Sequence, residues 1–170
     1  MSKKAKTGFQ CAHCGEWHNE LLKDLGSQLP DDVWALNYVE RYQRARHNAD
    51  LCTLDGKRHF IRCVLPVPLT YTDDEFCWGL WIEVSRKDHD QYIRTMQDGA
   101  PKKFEFEGVL ANNLKAYARL IGQKVSATVE AGSSNRPLIR MSVTSRHKLA
   151  VEQRKGIDLQ RHHEIVAPHL

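Results

Sequence analysis

The stretch EFCWGLWIEVS, residues 75–85, constrains this chain more than any other. Phe76, Trp78, Leu80, Ile82 and Val84 alternate with Cys77, Gly79, Trp81 and Glu83. A period of two puts each set on its own face of a β-strand. Five large apolar side chains on one face have to be covered, so the strand demands both a sheet and a layer against it. Trp78 belongs to that covered face. Trp81 belongs to the other, where it either lies beneath a helix or lines a groove.

The rest of the chain supplies strands and covers. Residues 51–54 read as a short strand, and Asp55-Gly56-Lys57 as a hairpin turn. Residues 58–69 continue extended, but Pro66 and Pro68 speak against an inner strand because proline cannot donate to a ladder. Residues 103–110, 124–131 and 137–143 read as further strands, and 8–11 as a short one before the first cysteine. Residues 29–46 predict a helix with acids in its first turn, arginines in its last, and Val33, Leu36, Tyr38 and Val39 on its apolar side. Residues 87–99 predict a second helix closed by Gly99, and 112–122 a helix or turn. Gly156 separates a short helix from a last one that Asp158 can cap. Runs of strands joined by hairpins indicate an α+β fold: a mostly antiparallel sheet covered by helices. One domain over residues 8–170 is expected, after a disordered tail at 1–7.

The bulk properties exclude several classes. Of 170 residues, 41% are hydrophobic and 27% charged, the mix of a globular protein able to bury its own core. A net charge of +4 without a concentrated basic stripe argues against nucleic acid as partner. No window approaches the roughly 20 apolar residues of a membrane span, and none follows the opening SKKAK as a signal peptide would require. A soluble, cytoplasmic protein is expected. There is no Walker loop, no dinucleotide fingerprint, no H-E-x-x-H and no G-x-S-x-G.

Five cysteines (Cys11, Cys14, Cys52, Cys63 and Cys77) make an odd count, which fits thiols or metal ligands better than a disulfide framework. FQCAHCGEWH, residues 9–18, holds the C-x-x-C-G turn that aims two thiolates at one ion, with Gly15 allowing the loop to close. Zinc takes four ligands, so two more are needed. Cys52, on a strand before a hairpin, and His18, on the knuckle's own loop, are the expected pair. Cys63, on the partner strand, is the alternative fourth ligand. Cys77 ranks lower, and His13 is expected to point outward. A structural zinc is favoured over a catalytic one, which would want an open coordination position and a base such as Glu16. Redox chemistry would want the motif at a strand-to-helix junction, which is not its setting here.

The second polar block is HKLAVEQRKGIDLQRHHE, residues 147–164. The ordinary reading is a solvated pair of terminal helices. The functional one is a ligand or partner patch of His147, Glu152, Gln153, Arg154 and Trp81. His162 and His163, about 100° apart on a helix, cannot easily serve one site.

Several separate blocks together resemble a bacterial domain-of-unknown-function family, number twenty-one ninety-nine: CAHCGEWH at 11–18, LPDDVWAL at 29–36, DLCTLDGKRHFIRCVLPVPL at 50–69, FCWGLWIEVS at 76–85, and HKLAVEQRKGIDLQRHHEI at 147–165. The one departure is Lys148, where similar sequences carry proline. The resemblance implies a small bacterial cytosolic protein. It supports Cys11, Cys14, His18 and Cys52 as a set and supplies no activity. The reading is a zinc-stabilised module that binds a protein or small ligand; the alternative is a metal-assisted hydrolase.

Overall fold

In the computed structural model, which describes residues 8–11, 14–99 and 102–170, the architecture grows from one long antiparallel pair. The expected tail at 1–7 and His13 lie outside the described residues. In chain order the elements are β1 (Phe9–Gln10), β2 (Trp17–His18), β3 (Asp24–Gly26), α1 (Asp31–Trp34), α2 (Tyr38–Arg44), β4 (Ala45–His47), β5 (Leu51–Leu54), β6 (Arg58–Pro68), β7 (Glu75–Val84), α3 (Arg86–Gln97), β8 (Phe104–Leu110), β9 (Lys124–Val129), β10 (Leu138–Met141), α4 (Lys148–Lys155) and α5 (Leu159–Val166). A 3₁₀ turn, Ala167–His169, follows α5.

β6 and β7 pair along their whole length, from His59 opposite Val84 to Pro68 opposite Glu75. β7 continues antiparallel to β8, β8 to β9 and β9 to β10, and β10 returns to β6 through a parallel pairing of Leu138 with Val64. The five strands β6–β10 therefore close on themselves like a barrel, which removes their edges. β3 joins the first half of β7 in parallel, and β5 and then β4 extend from the first half of β6. The fold is α+β with a mostly antiparallel sheet, as expected.

Parity divides the interior. Ile61, Cys63, Leu65 and Val67 of β6 meet Phe76, Trp78, Leu80 and Ile82 of β7 in the main core. On the opposite face, Phe60 and Trp81 pack with Leu29, Val33, Cys52 and Leu54 in a second core. Trp81 is fully buried there, with its indole N–H donating to the Ser27 carbonyl at 3.1 Å, so it lines no groove.

Two local expectations need correction. The helix expected over residues 29–46 is two short helices and a strand. Asn37 is extended, accepts from the Glu40 amide and starts a new helix through a capping box. Val33 is buried, but α2 buries none of its own residues, and Tyr38 and Val39 face solvent. The second correction concerns Pro66 and Pro68, which sit in the most extensively paired strand. The Val64 amide bonds Pro137 on the side away from β7, so by alternation the missing N–H groups at 66 and 68 also face away from β7. That side is covered by helix rather than strand. The Pro66 carbonyl accepts from Gln153 of α4, and the Pro68 carbonyl from the Ile157 amide.

Elsewhere, reading and structure agree. Asp55 and Gly56 both take positive φ, as a type I′ hairpin turn requires. Asp158 caps α5, while Gly99 follows α3 at φ +71° and Gly156 ends α4 at φ +81°. Residues 112–122 form turns with one isolated bridge rather than a helix.

Gln153 is the polar tie across the β10–β6 seam. Its Oε1 accepts from the Met141 amide at 2.9 Å, and its Nε2 donates to the carbonyls of Ile139 and Pro66. Replacing it with leucine strands three buried backbone groups, so Gln153→Leu should cost about 2–4 kcal/mol in urea unfolding. Arg154→Ala, at an exposed neighbour, should cost under about 1 kcal/mol.

Candidate metal centre

The cysteine turn hangs between two two-residue strands, β1 and β2, paired Phe9 to His18 and Gln10 to Trp17. Within it the Gly15 amide donates to the Cys11 carbonyl at 2.8 Å and the Cys11 amide to the Glu16 carbonyl at 2.7 Å. Gln10 reaches across to the Gly15 carbonyl at 2.9 Å. Gly15 takes φ +73°, which an L side chain rarely adopts. These bonds set Cys11 inward at 2% exposure and Cys14 outward.

His18 follows at the end of β2, with its Nε2 3.2 Å from the Cys14 Sγ. The fourth group comes from the far part of the chain. His163 on α5 is 4% exposed, and its ring centroid lies 5.3 Å from that of His18. One donor atom from each of Cys11, Cys14, His18 and His163 lies within 4.8 Å of all the others. Two thiols and two imidazoles are the donors zinc prefers, in the number it takes.

Cys52 and Cys63, expected as ligands, lie elsewhere for a reason of parity. Cys52 pairs with Phe60, so Cys63, three residues further along β6, points to the opposite face. Cys52 belongs to the second core and Cys63 to the main core, each fully buried. Burial alone pushes the Cys52 thiol up to about 11 and raises that of Cys63 further. Both thiols turn toward backbone carbonyls, of Thr53 and Ile61 respectively.

His163 had a legible signal. Leu159, His162, His163 and Val166 fall at i, i+3, i+4 and i+7, the spacing of a helix face turned inward. Three of them are buried and Leu159 packs on the core, so the last helix is not solvated as the ordinary reading supposed. The two histidines divide their work. His162 Nε2 donates to the Leu22 carbonyl at 2.7 Å, while its Nδ1 accepts from the Tyr71 hydroxyl at 2.6 Å. Burial, outweighing the Leu22 bond, holds His162 below the usual histidine range. α5 thus meets the N-terminal segment at the knuckle through His163 and just beyond it through His162.

The expected patch of His147, Glu152, Gln153, Arg154 and Trp81 is not one surface. Trp81 lies in the second core and Gln153 in the barrel seam. His147 caps α4, accepting from the Leu149 amide, and reaches the Ala118 carbonyl with its other ring nitrogen. Glu152 is buried, bonded by the Tyr117 hydroxyl and by Arg161 Nε at 2.8 Å, and Arg161 also reaches the Ala116 carbonyl. Burial first, and then the Glu152 contact, raises the Tyr117 pKa. Arg154 donates to the Ser142 and Ser145 carbonyls. His147, Glu152 and Arg161 tie α4 and α5 to the 112–122 loop, and Arg154 ties α4 to the segment after β10. Lys148 is the first helical residue of α4, a position where a proline would forfeit no helical hydrogen bond.

With the knuckle and the C-terminal block placed, the comparison is direct: the family described as an uncharacterised protein conserved in bacteria, DUF2199, matches residues 10–157. The chain belongs to that family. The match takes in Cys11, Cys14 and His18 and stops before His163. No curated protein and no solved structure matches the chain. Among the described residues no helix is long and apolar enough to cross a membrane.

The thiols should react in order of exposure. At pH 8, without metal, a disulfide reagent should modify Cys14 within seconds to minutes and leave Cys52 and Cys63 untouched until denaturant is added. Mass spectrometry of the labelled protein checks this.

Proposed function

We propose that the protein is a zinc-stapled binding module in which the metal is structural. The observation that carries this is the donor count. Cys11, Cys14, His18 and His163 supply four ligand atoms close enough for one ion to touch all of them. Four protein donors fill a tetrahedral zinc shell and leave no position for water or substrate. The metal-assisted hydrolase finds less support, since Glu152 is already held by Tyr117 and Arg161. Strands of two residues bury little by themselves, so an ion linking them to α5 accounts for how the knuckle is held.

Binding is best supported at α2. Tyr38 and Tyr42 are 82% and 76% exposed, with Val39 and Trp34 beside them. A seven-residue helix that buries nothing is not stable alone. This one is held by its capping box and by Arg41, which donates to the carbonyls of Val33, Trp34 and Leu36. Tyr38, Arg41, Tyr42 and Arg46 line a groove of about 520 Å³. Tyrosine, tryptophan and arginine are the side chains that dominate protein interfaces, which supports a protein partner.

Metal analysis of protein purified under reducing conditions should give about one zinc per chain, lost in Cys14→Ser and in His163→Asn and kept in Cys52→Ser. Metal-free wild-type protein would sink the zinc reading. For the surface, Tyr38→Ala with Tyr42→Ala should leave stability within about 0.5 kcal/mol, since neither ring is buried. The same pair should abolish cross-linking to a partner that wild type captures from a bacterial lysate; unchanged cross-linking would remove α2 from the reading.

A further inference from the structure

Arg62 stands in the middle of β6 opposite Trp81, and its side chain crosses the place where two glycines pair, Gly26 of β3 with Gly79 of β7. A Cβ on Gly26 would come within 3.0 Å of Arg62 Nη2, and one on Gly79 within 3.7 Å. The guanidinium therefore lies on bare backbone.

Its bonding sets it apart. Among the described residues, the half-buried arginines are Arg41, Arg58, Arg62, Arg136 and Arg161. Arg41 donates to three carbonyls, Arg58 to Asp32 and Glu83, Arg136 to Asp50, and Arg161 to Glu152 and Ala116. Arg62 forms no side-chain hydrogen bond or ion pair to any described residue, and its Nε is buried without a partner. Removing a cation from water without pairing it is costly. Burial first, then the nearby Arg136, pushes its pKa down, against the weaker pull of Asp50. Arg136 has its own partner in Asp50 at 2.7 Å, so the neighbouring pair leaves Arg62 without a counter-ion that a bound anion would supply.

We propose that Arg62, seated over Gly26 and Gly79 with Arg136 beside it, anchors an oxyanion-binding site. The ligand class is one that a guanidinium fork grips through two oxygens: a phosphate group or a carboxylate. The glycine floor leaves the room in which the guanidinium itself is seated. The site shares no residue with the cysteine–histidine cluster and stands or falls apart from the zinc reading.

The test titrates inorganic phosphate, and separately acetate, at constant ionic strength made up with chloride, reading melting temperature and calorimetric heat. Saturable stabilisation of wild type by phosphate, by acetate or by both is expected, and the stronger arm names the ligand class. Arg62→Gln should lose that affinity at least about tenfold without lowering the melting temperature of the ligand-free protein, because it removes an unpaired desolvated charge. An arginine serving only the fold would destabilise when replaced. Gly26→Ala keeps the charge but fills its seat at an ordinary backbone φ, and should also weaken binding about tenfold. No saturable binding to wild type, or affinities unchanged in both variants, would overturn the proposal and leave an adventitious ion only.

Discussion

The ladder between β6 and β7 is the interaction on which the rest of the molecule depends. β6 has eleven residues and three partner strands: β7 along one side, β5 and then β10 along the other. Its odd residues from Ile61 to Val67 build the barrel interior, and on the even face Phe60 enters the second core. A slip of one residue would exchange those two sets, so the registers of both cores are a single register. The prolines fall just beyond Val64, where the pairing with β10 stops and Gln153 of α4 takes the Pro66 carbonyl, so proline marks the change of partner rather than the end of the strand.

How much of this was legible depended on range. The alternation from Phe76 to Val84, the Asp55-Gly56 turn and the helix ends at Gly99, Gly156 and Asp158 are local rules, and local rules read correctly. The 29–46 helix failed because acids before and arginines after suit one helix or two equally well. Only the Asn37–Glu40 box, four residues long, marks the break. Three of the four donors of the proposed metal site were visible as the C-x-x-C-G turn with His18. The fourth was misplaced because cysteine chemistry was weighed above strand parity, although the hairpin turn already implied that Cys52 and Cys63 face apart.

The C-terminal polar block was read as surface and is largely interior. Glu152, Gln153, His162 and His163 are all buried; the first three complete backbone or side-chain partners, and the His163 ring lies against that of His18. Polar composition there reflects the number of joints that two short helices make with a closed sheet. Function and folding draw on the same residue types, and spacing alone does not separate them.

The pair His162 and His163 has a consequence for biosynthesis. A chain leaves the ribosome from its N-terminus, so Cys11, Cys14 and His18 emerge long before the helix that carries the two histidines. On the proposed reading the knuckle holds three donors until α5 has emerged. Contact between the two forms only after strands β3–β10 have been made, and a chain cut short before α5 lacks the His162 bond to the Leu22 carbonyl and the His163 ring beside His18.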